Sequence, residues 1–168
     1  DGGHEAADAS GSKCSPPEAA LVAWIVNHLQ KRWRVDVTDP DKLRVLTFYS
    51  AQVHSIKSAL PAPLRGTAGG EATAMQADGG GISVHTVDGS QGAESDVIVL
   101  SFVRSNTRGS IGFVSEPRRL NVALTRGRKS LIMIGDAATL ARDQSDVGAL
   151  LANLCTRKLV FPVATLGI

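Results

Sequence analysis

Apolar residues first recur at helical spacing in PPEAALVAWIVNHLQKRW, where Leu21, Val22, Ile25 and Leu29 share a face behind Pro16-Pro17. KLRVLTFYS then reads as a short apolar strand over 43–48. AQVHSIKSALPAP predicts a helix from about Ala51 to Leu60, stopped by Pro61. Residues 62–81 are rich in glycine and have no period, which predicts a loop or a disordered insertion. Beyond them ISVHTV predicts a strand over 82–87, DGSQGAES a turn with one helical turn at most, and DVIVLSFV a strand over 97–103. RSNTRGSIGFVSE reads as a loop and PRRLNVALTR as a helix with Pro117 in its first turn. SLIMIG is another apolar strand, and helices are expected from about Ala137 and from Asp146.

Two of these strands are apolar throughout, without alternation, as strands are when a parallel sheet is covered on both faces. The order helix, strand, helix, strand, strand, helix, strand, helix therefore predicts an α/β fold, a mostly parallel sheet flanked by helices. Residues 16–168 read as one domain. Residues 1–15 hold little apolar material and are expected to be a disordered lead or a cut end.

Composition narrows the function only a little. The formal charge of +2 over 168 residues is too small to argue for nucleic acid by itself, so an acidic partner would have to be met by local charge. Cys14 and Cys155 lie far apart and form no metal-ligand spacing, which suits a reducing compartment. No apolar run is long enough to span a bilayer, and the first residues do not resemble a secretory signal.

In open parallel sheets ligands lie at the carboxyl ends of the strands, so the loops there carry the candidate chemistry. Tyr49-Ser50-Ala51-Gln52 follows the first strand, Asp88 to Glu94 the second, and Arg104-Ser105-Asn106 the third. In VDGSQGAESD two glycines three apart would let the backbone approach a ligand, beside Gln91 and Glu94; a plain turn reads equally well. RRLNVALTRGR packs four arginines into residues 118–128. On a helix Asn121 and Thr125 share a face, as do Arg118, Val122 and Arg126, while Leu120, Ala123 and Leu124 look inward. Basic residues there could merely complement the helix dipole, or Arg126 could reach for phosphate. No G-x-x-x-x-G-K-[ST] segment occurs, and no Asp-Glu pair follows an apolar strand to hold Mg²⁺.

SVHTVDGSQGAESDVIVLSFVRSN followed by GFVSEPRRLNVALTRGR resembles motifs V and VI of superfamily 1 helicases, in the up-frameshift and senataxin-like branch. TFYSAQ at 47–52 is similar to that branch's motif IV, and the resemblance covers roughly residues 15–140. It implies a RecA-like domain of P-loop NTPase type without its own P-loop, the second of two that enclose ATP. By motif position it implies Arg126 as the catalytic arginine on the γ-phosphate, with Gly92, Glu94 and, more weakly, Gln91 at the nucleotide. Thr47, Tyr49, Thr86, Asp88, Ser101 and Arg104 would lie along single-stranded RNA or DNA; Arg104 has an equal reading as surface charge. Mg²⁺ would be held by the first RecA-like domain, which is absent here, and the protein would work inside the cell, in cytoplasm or nucleus.

The sequence departs from the family's pattern at Phe48, Ser90, Ala93 and Gly127, where Pro, an aromatic, Arg and Ala are usual. The family's Walker motifs and its Gln-Tyr-Arg segment are missing as well. The expectation is thus a helicase fragment that is inactive alone. Its rival is a non-catalytic RecA-like module serving as a protein-interaction or nucleic-acid-docking surface.

Overall fold

The computed structural model describes residues 5–66, 80–90 and 92–166. Helix α1, Pro16–Trp33, begins where Ser15 accepts a hydrogen bond from the Glu18 amide and two prolines fill the first turn, which needs no amide donors. It ends at Arg34, whose left-handed φ of 55° closes the last turn. Strand β3, Leu43–Thr47, is buried along its whole length, and α2, Ser50–Ala59, follows directly. Strands β4, Val84–Thr86, and β5, Ser95–Ser101, flank β3, and α3, Pro117–Leu124, leads into β6, Gly127–Ile134. Two further helices, α4 (Ala137–Leu140) and α5 (Asp146–Thr156), complete the unit.

The sheet order is β4-β3-β5-β6, with every pairing parallel. Side chains alternate across it, which explains the unbroken apolar runs. Val45, Val99 and Ile134 join Val22 and Val26 of α1 and Ile56 of α2 in one apolar layer. Leu46, Ile98 and Leu100 join Leu120 and Ala123 of α3, with Leu140 and Val147, in the other. A helix-covered α/β sheet is the architecture expected of a RecA-like domain.

Element ends differ from expectation by a few residues. Strand β5 starts at Ser95 and stops at Ser101, because Val103 turns to φ 72° and cannot continue a strand. Strand β6 begins at Gly127, three residues early, through an irregular register between Ser95 and Val97 of β5. A Cβ at Gly127 would come within 2.7 Å of the Ser130 carbonyl oxygen, so the position admits only glycine without a shift. This gives a local reason for glycine where alanine is usual. Within the expected 62–81 loop, Ala62–Leu64 forms a 3₁₀ turn, while 67–79 lie outside the described residues.

The larger difference is at the start. Residues 5–15, for which composition predicts no structure, form an antiparallel hairpin of β1, Ala6–Ala7, and β2, Lys13–Cys14. The Asp8 carboxylate closes its turn by accepting from the amides of Ser10 and Ser12. Glu5 then anchors the hairpin to Arg104 at the exit of β5, a contact that sequence-local reasoning has no access to.

Candidate nucleotide and nucleic-acid sites

The candidate residues gather at opposite ends of the sheet. At the carboxyl end, register places Thr86, Thr47 and Ser101 side by side on β4, β3 and β5. Tyr49 and Arg104 follow at the exits of β3 and β5. At the amino end, Gly92 and Glu94 precede β5 and Arg126 precedes β6, and the Ser95 amide donates to the Arg126 carbonyl at 3.0 Å. The premise that ligands sit at carboxyl strand ends thus describes only the first set.

Several carboxyl-end side chains are already engaged. Ser101 is fully buried; its hydroxyl donates to Glu18 Oε2 at 2.7 Å and meets Gln52 Nε2 at 3.1 Å. Gln52 in turn accepts from the Ser15 amide and donates to the Ser15 carbonyl, tying motif IV to the start of α1. Thr47 is buried too, and its Oγ1 has no hydrogen-bond partner among the described residues. Neither hydroxyl reaches solvent in this conformation, unlike the exposed contacts the motif positions suggest. Thr86 is half-buried and accepts from the Gly89 amide at 3.1 Å.

Glu18 is the most perturbed acid of this end. Burial pushes its carboxyl up to about 7, helped by nearby Asp136 and opposed by the bonds from Ser101 and the Val103 amide. Arg104, with its side chain 9% exposed, donates through Nε and Nη2 to the two oxygens of Glu5, itself 11% exposed. Glu5 also accepts from the Ser105 amide and from Asn106 Nδ2. Burial acts to raise the Glu5 carboxyl, but the Arg104, Asn106 and Ser105 donors outweigh it and hold it below the usual carboxylate range. Surface charge is therefore the wrong description of Arg104: it is a buried, bidentate anchor for the hairpin.

Tyr49 is buried, with its hydroxyl donating to the Ile111 carbonyl and within 3.4 Å of Arg104 Nη1. Its ring lies 6.0 Å from Phe113, and the Arg119 guanidinium lies over Phe113 at 5.3 Å. Arg119 also pairs with Asp88 and Glu116. Phe113 is 61% exposed, an aromatic surface beside motif IV that sequence reasoning missed. The signal was there in GFVSE, an aromatic in an otherwise small and polar loop, but nothing local says which way it faces.

At the amino end, Gly92 adopts φ 80° with open space around its Cβ position, so its backbone is accessible and favours glycine. Glu94 is exposed, and Gln91 lies outside the described residues. Arg126 is half-buried just past α3, with Nε donating to the Val122 carbonyl at 3.1 Å and Nη2 to Thr125 Oγ1 at 3.4 Å. Among the described residues it has no carboxylate partner, whereas Arg119 pairs as above and Arg128 bonds to Asp96. A guanidinium held by neutral acceptors is suited to receive an anion. Phosphate fits that donor set.

The AAA domain family model matches residues 1–138. DNA polymerase alpha-associated DNA helicase A of Saccharomyces cerevisiae is 37% identical over 132 residues, 79% of this chain and 17% of that protein. Helicase sen1 of Schizosaccharomyces pombe is 38% identical over 125 residues, 74% of this chain and 7% of its own length. Regulator of nonsense transcripts 1 homolog of Drosophila melanogaster reaches 51% identity over 63 residues, covering 38% of this chain and 5% of itself. The chain belongs to the AAA domain family of superfamily 1 helicases, in the up-frameshift and senataxin-like branch. It spans a small part of each of these relatives, 17% at most. No helix among the described residues is long and apolar enough to cross a membrane.

Proposed function

We propose that this chain is the second RecA-like domain of an ATP-dependent superfamily 1 helicase, completing an ATP site from its amino-end face and contacting single-stranded RNA or DNA at its carboxyl end. The observation that carries the reading is Arg126: half-buried, fixed by Val122 and Thr125, and without a carboxylate partner among the described residues. Its guanidinium would bind phosphate oxygens and stabilise charge on the transferring group, with the Gly92 backbone and Glu94 alongside. ATP with Mg²⁺, the latter held by another RecA-like domain, supplies the phosphoanhydride whose cleavage lets the domains part. Strand contact would be backbone-directed and salt-sensitive, with exposed Phe113 and half-buried Arg119 offering a stacking surface near Tyr49 and Asp88.

The test is steady-state ATPase of the full-length polypeptide with saturating single strand. Arg126→Ala is expected to lower kcat by roughly a thousandfold, the scale of arginine fingers, with an unchanged thermal melt. Arg118→Ala, at an exposed position on the helix that leads to Arg126, is expected to leave kcat nearly intact. Unchanged turnover in Arg126→Ala, or loss of its fold, overturns the phosphate assignment.

A further inference from the structure

Arg44 sits where the sheet has no need of charge. On β3 it lies between Leu43 and Val45 of the α1 layer, so its side chain falls on the opposite face with Leu46, and its register partner on β5 is Ile98. The residue is only 7% exposed. Its Nε donates to Ser95 Oγ at 3.3 Å and its Nη2 to the Pro40 carbonyl at 3.5 Å, both neutral acceptors at long range. Among the described residues no carboxylate forms an ion pair with it; burial acts against its charge and lowers its pKa, with Asp41 opposing through space. A buried guanidinium held this loosely costs stability, and an apolar side chain of similar length would suit the layer better. Fold stability does not account for it.

What Arg44 does hold is Ser95. The fully buried Ser95 accepts from Arg44 at its hydroxyl and donates from it to the Pro40 carbonyl at 2.6 Å, while its amide donates to the Arg126 carbonyl at 3.0 Å. Ser95 is thus fastened by its side chain to the start of β3 and by its backbone to Arg126. This joint lies between two glycines, where backbone rotation is least restricted: Gly92, at φ 80°, precedes Ser95 by three residues, and Gly127 follows Arg126. Strand β3 is buried along its length and paired on both sides, which makes it a rigid base for a brace. We propose that Arg44 is a positioning residue for ATP hydrolysis, holding Ser95 and through it the Arg126 backbone, so that the Arg126 guanidinium reaches the transferring phosphoryl group. The inference rests on the phosphate reading of Arg126. A guanidinium displaced by about 1 Å loses rate without any loss of fold.

Steady-state ATPase of the full-length polypeptide with saturating single strand, alongside thermal melts, tests the brace. Arg44→Met is expected to lower kcat by roughly ten- to a hundredfold with KM for ATP nearly unchanged, and to melt at the same temperature or higher. Ser95→Ala removes the side-chain acceptor but keeps the backbone bond to Arg126. It is expected to lower kcat as well, and the double variant no further than Arg44→Met alone. In an Arg126→Ala background Arg44→Met is expected to change nothing more, since it acts only through that side chain. Unchanged kcat in Arg44→Met, at any melting temperature, overturns the proposal, as does a fall in kcat that persists in the Arg126→Ala background. The two readings fail separately. If Arg126→Ala leaves turnover intact, the phosphate assignment falls and takes the brace with it; if it lowers turnover and Arg44→Met does not, only the brace falls.

Discussion

Glu18 Oε2 accepts a hydrogen bond from the Val103 amide at 2.9 Å, and Val103 is held at φ 72°, a conformation that costs a β-branched residue about 1–3 kcal/mol. One buried carboxylate thus joins the first turn of α1 to the point where β5 breaks off toward Arg104. The same oxygen takes the Ser101 hydroxyl, so the start of one helix fixes the exit of the central strand.

That arrangement sets a pH dependence. Burial raises the Glu18 carboxyl from 4.5 to about 7 in the folded protein, so folding favours its protonated form. The contribution to stability is full below about 4.5 and is lost as pH rises through about 7. Glu18→Gln keeps an acceptor for Val103 and Ser101 and cannot ionise. Relative to this variant, the wild-type melting temperature is expected to fall between pH 5 and pH 8; a constant difference across that range would show that Glu18 does not titrate there.

The Glu5–Arg104 clasp is expected to matter for stability. Glu5→Ala leaves a nearly buried guanidinium without its carboxylate and removes the acceptor of Ser105 and Asn106. A loss of about 3 kcal/mol is expected from urea unfolding. A change under 0.5 kcal/mol would show the hairpin to be incidental.

Phe113→Ala should weaken single-strand binding by the full-length polypeptide by roughly five- to a hundredfold, the value of one stacked base. Phe113→Trp should retain binding, and both should melt like the wild type because the ring is largely exposed. Fluorescence anisotropy with a labelled homopolymer at fixed salt reads the effect, and equal affinity of all three proteins would remove Phe113 from the interface.

Gly127→Ala is expected to destabilise the domain by about 1–3 kcal/mol, because the added Cβ meets the Ser130 carbonyl of the same irregular strand. A thermal melt suffices. If the variant is as stable as the parent, β6 can shift to a regular path that accommodates the added Cβ.

Most of the sheet was legible because its forces are local or periodic. Val45 and Leu46, or Val99 and Leu100, are neighbours in sequence that enter opposite layers, and an unbroken apolar run is the direct trace of that. The hairpin was not legible, because what orders it is Glu5 meeting Arg104, 99 positions away. Nothing in the local sequence marks Glu18, and only the packed structure brings it to Ser101 and Val103. Motif spacing brought Arg126 and Gly92 to one end, but it could not tell that Thr47 and Ser101 lie beneath the surface.

Among the described residues, the connection from β4 to β5 contains no crossover helix, and this has a mechanical consequence. Val87 is pinned at the carboxyl end by its amide bond to Thr47, and Ser95 at the amino end by its bond to the Arg126 carbonyl. Ser95 lies six residues down β5 from the level of Thr86, about 20 Å at strand rise. Eight residue steps can reach at most roughly 28 Å when fully drawn out, and the turn at Asp88–Ser90 uses some of that. The segment is a short tie-rod with little slack. A displacement of Arg126 must either pull on Thr86 and Thr47 or be absorbed by rotation at Gly92, so residues added between Gly92 and Ser95 would loosen one end of the domain from the other.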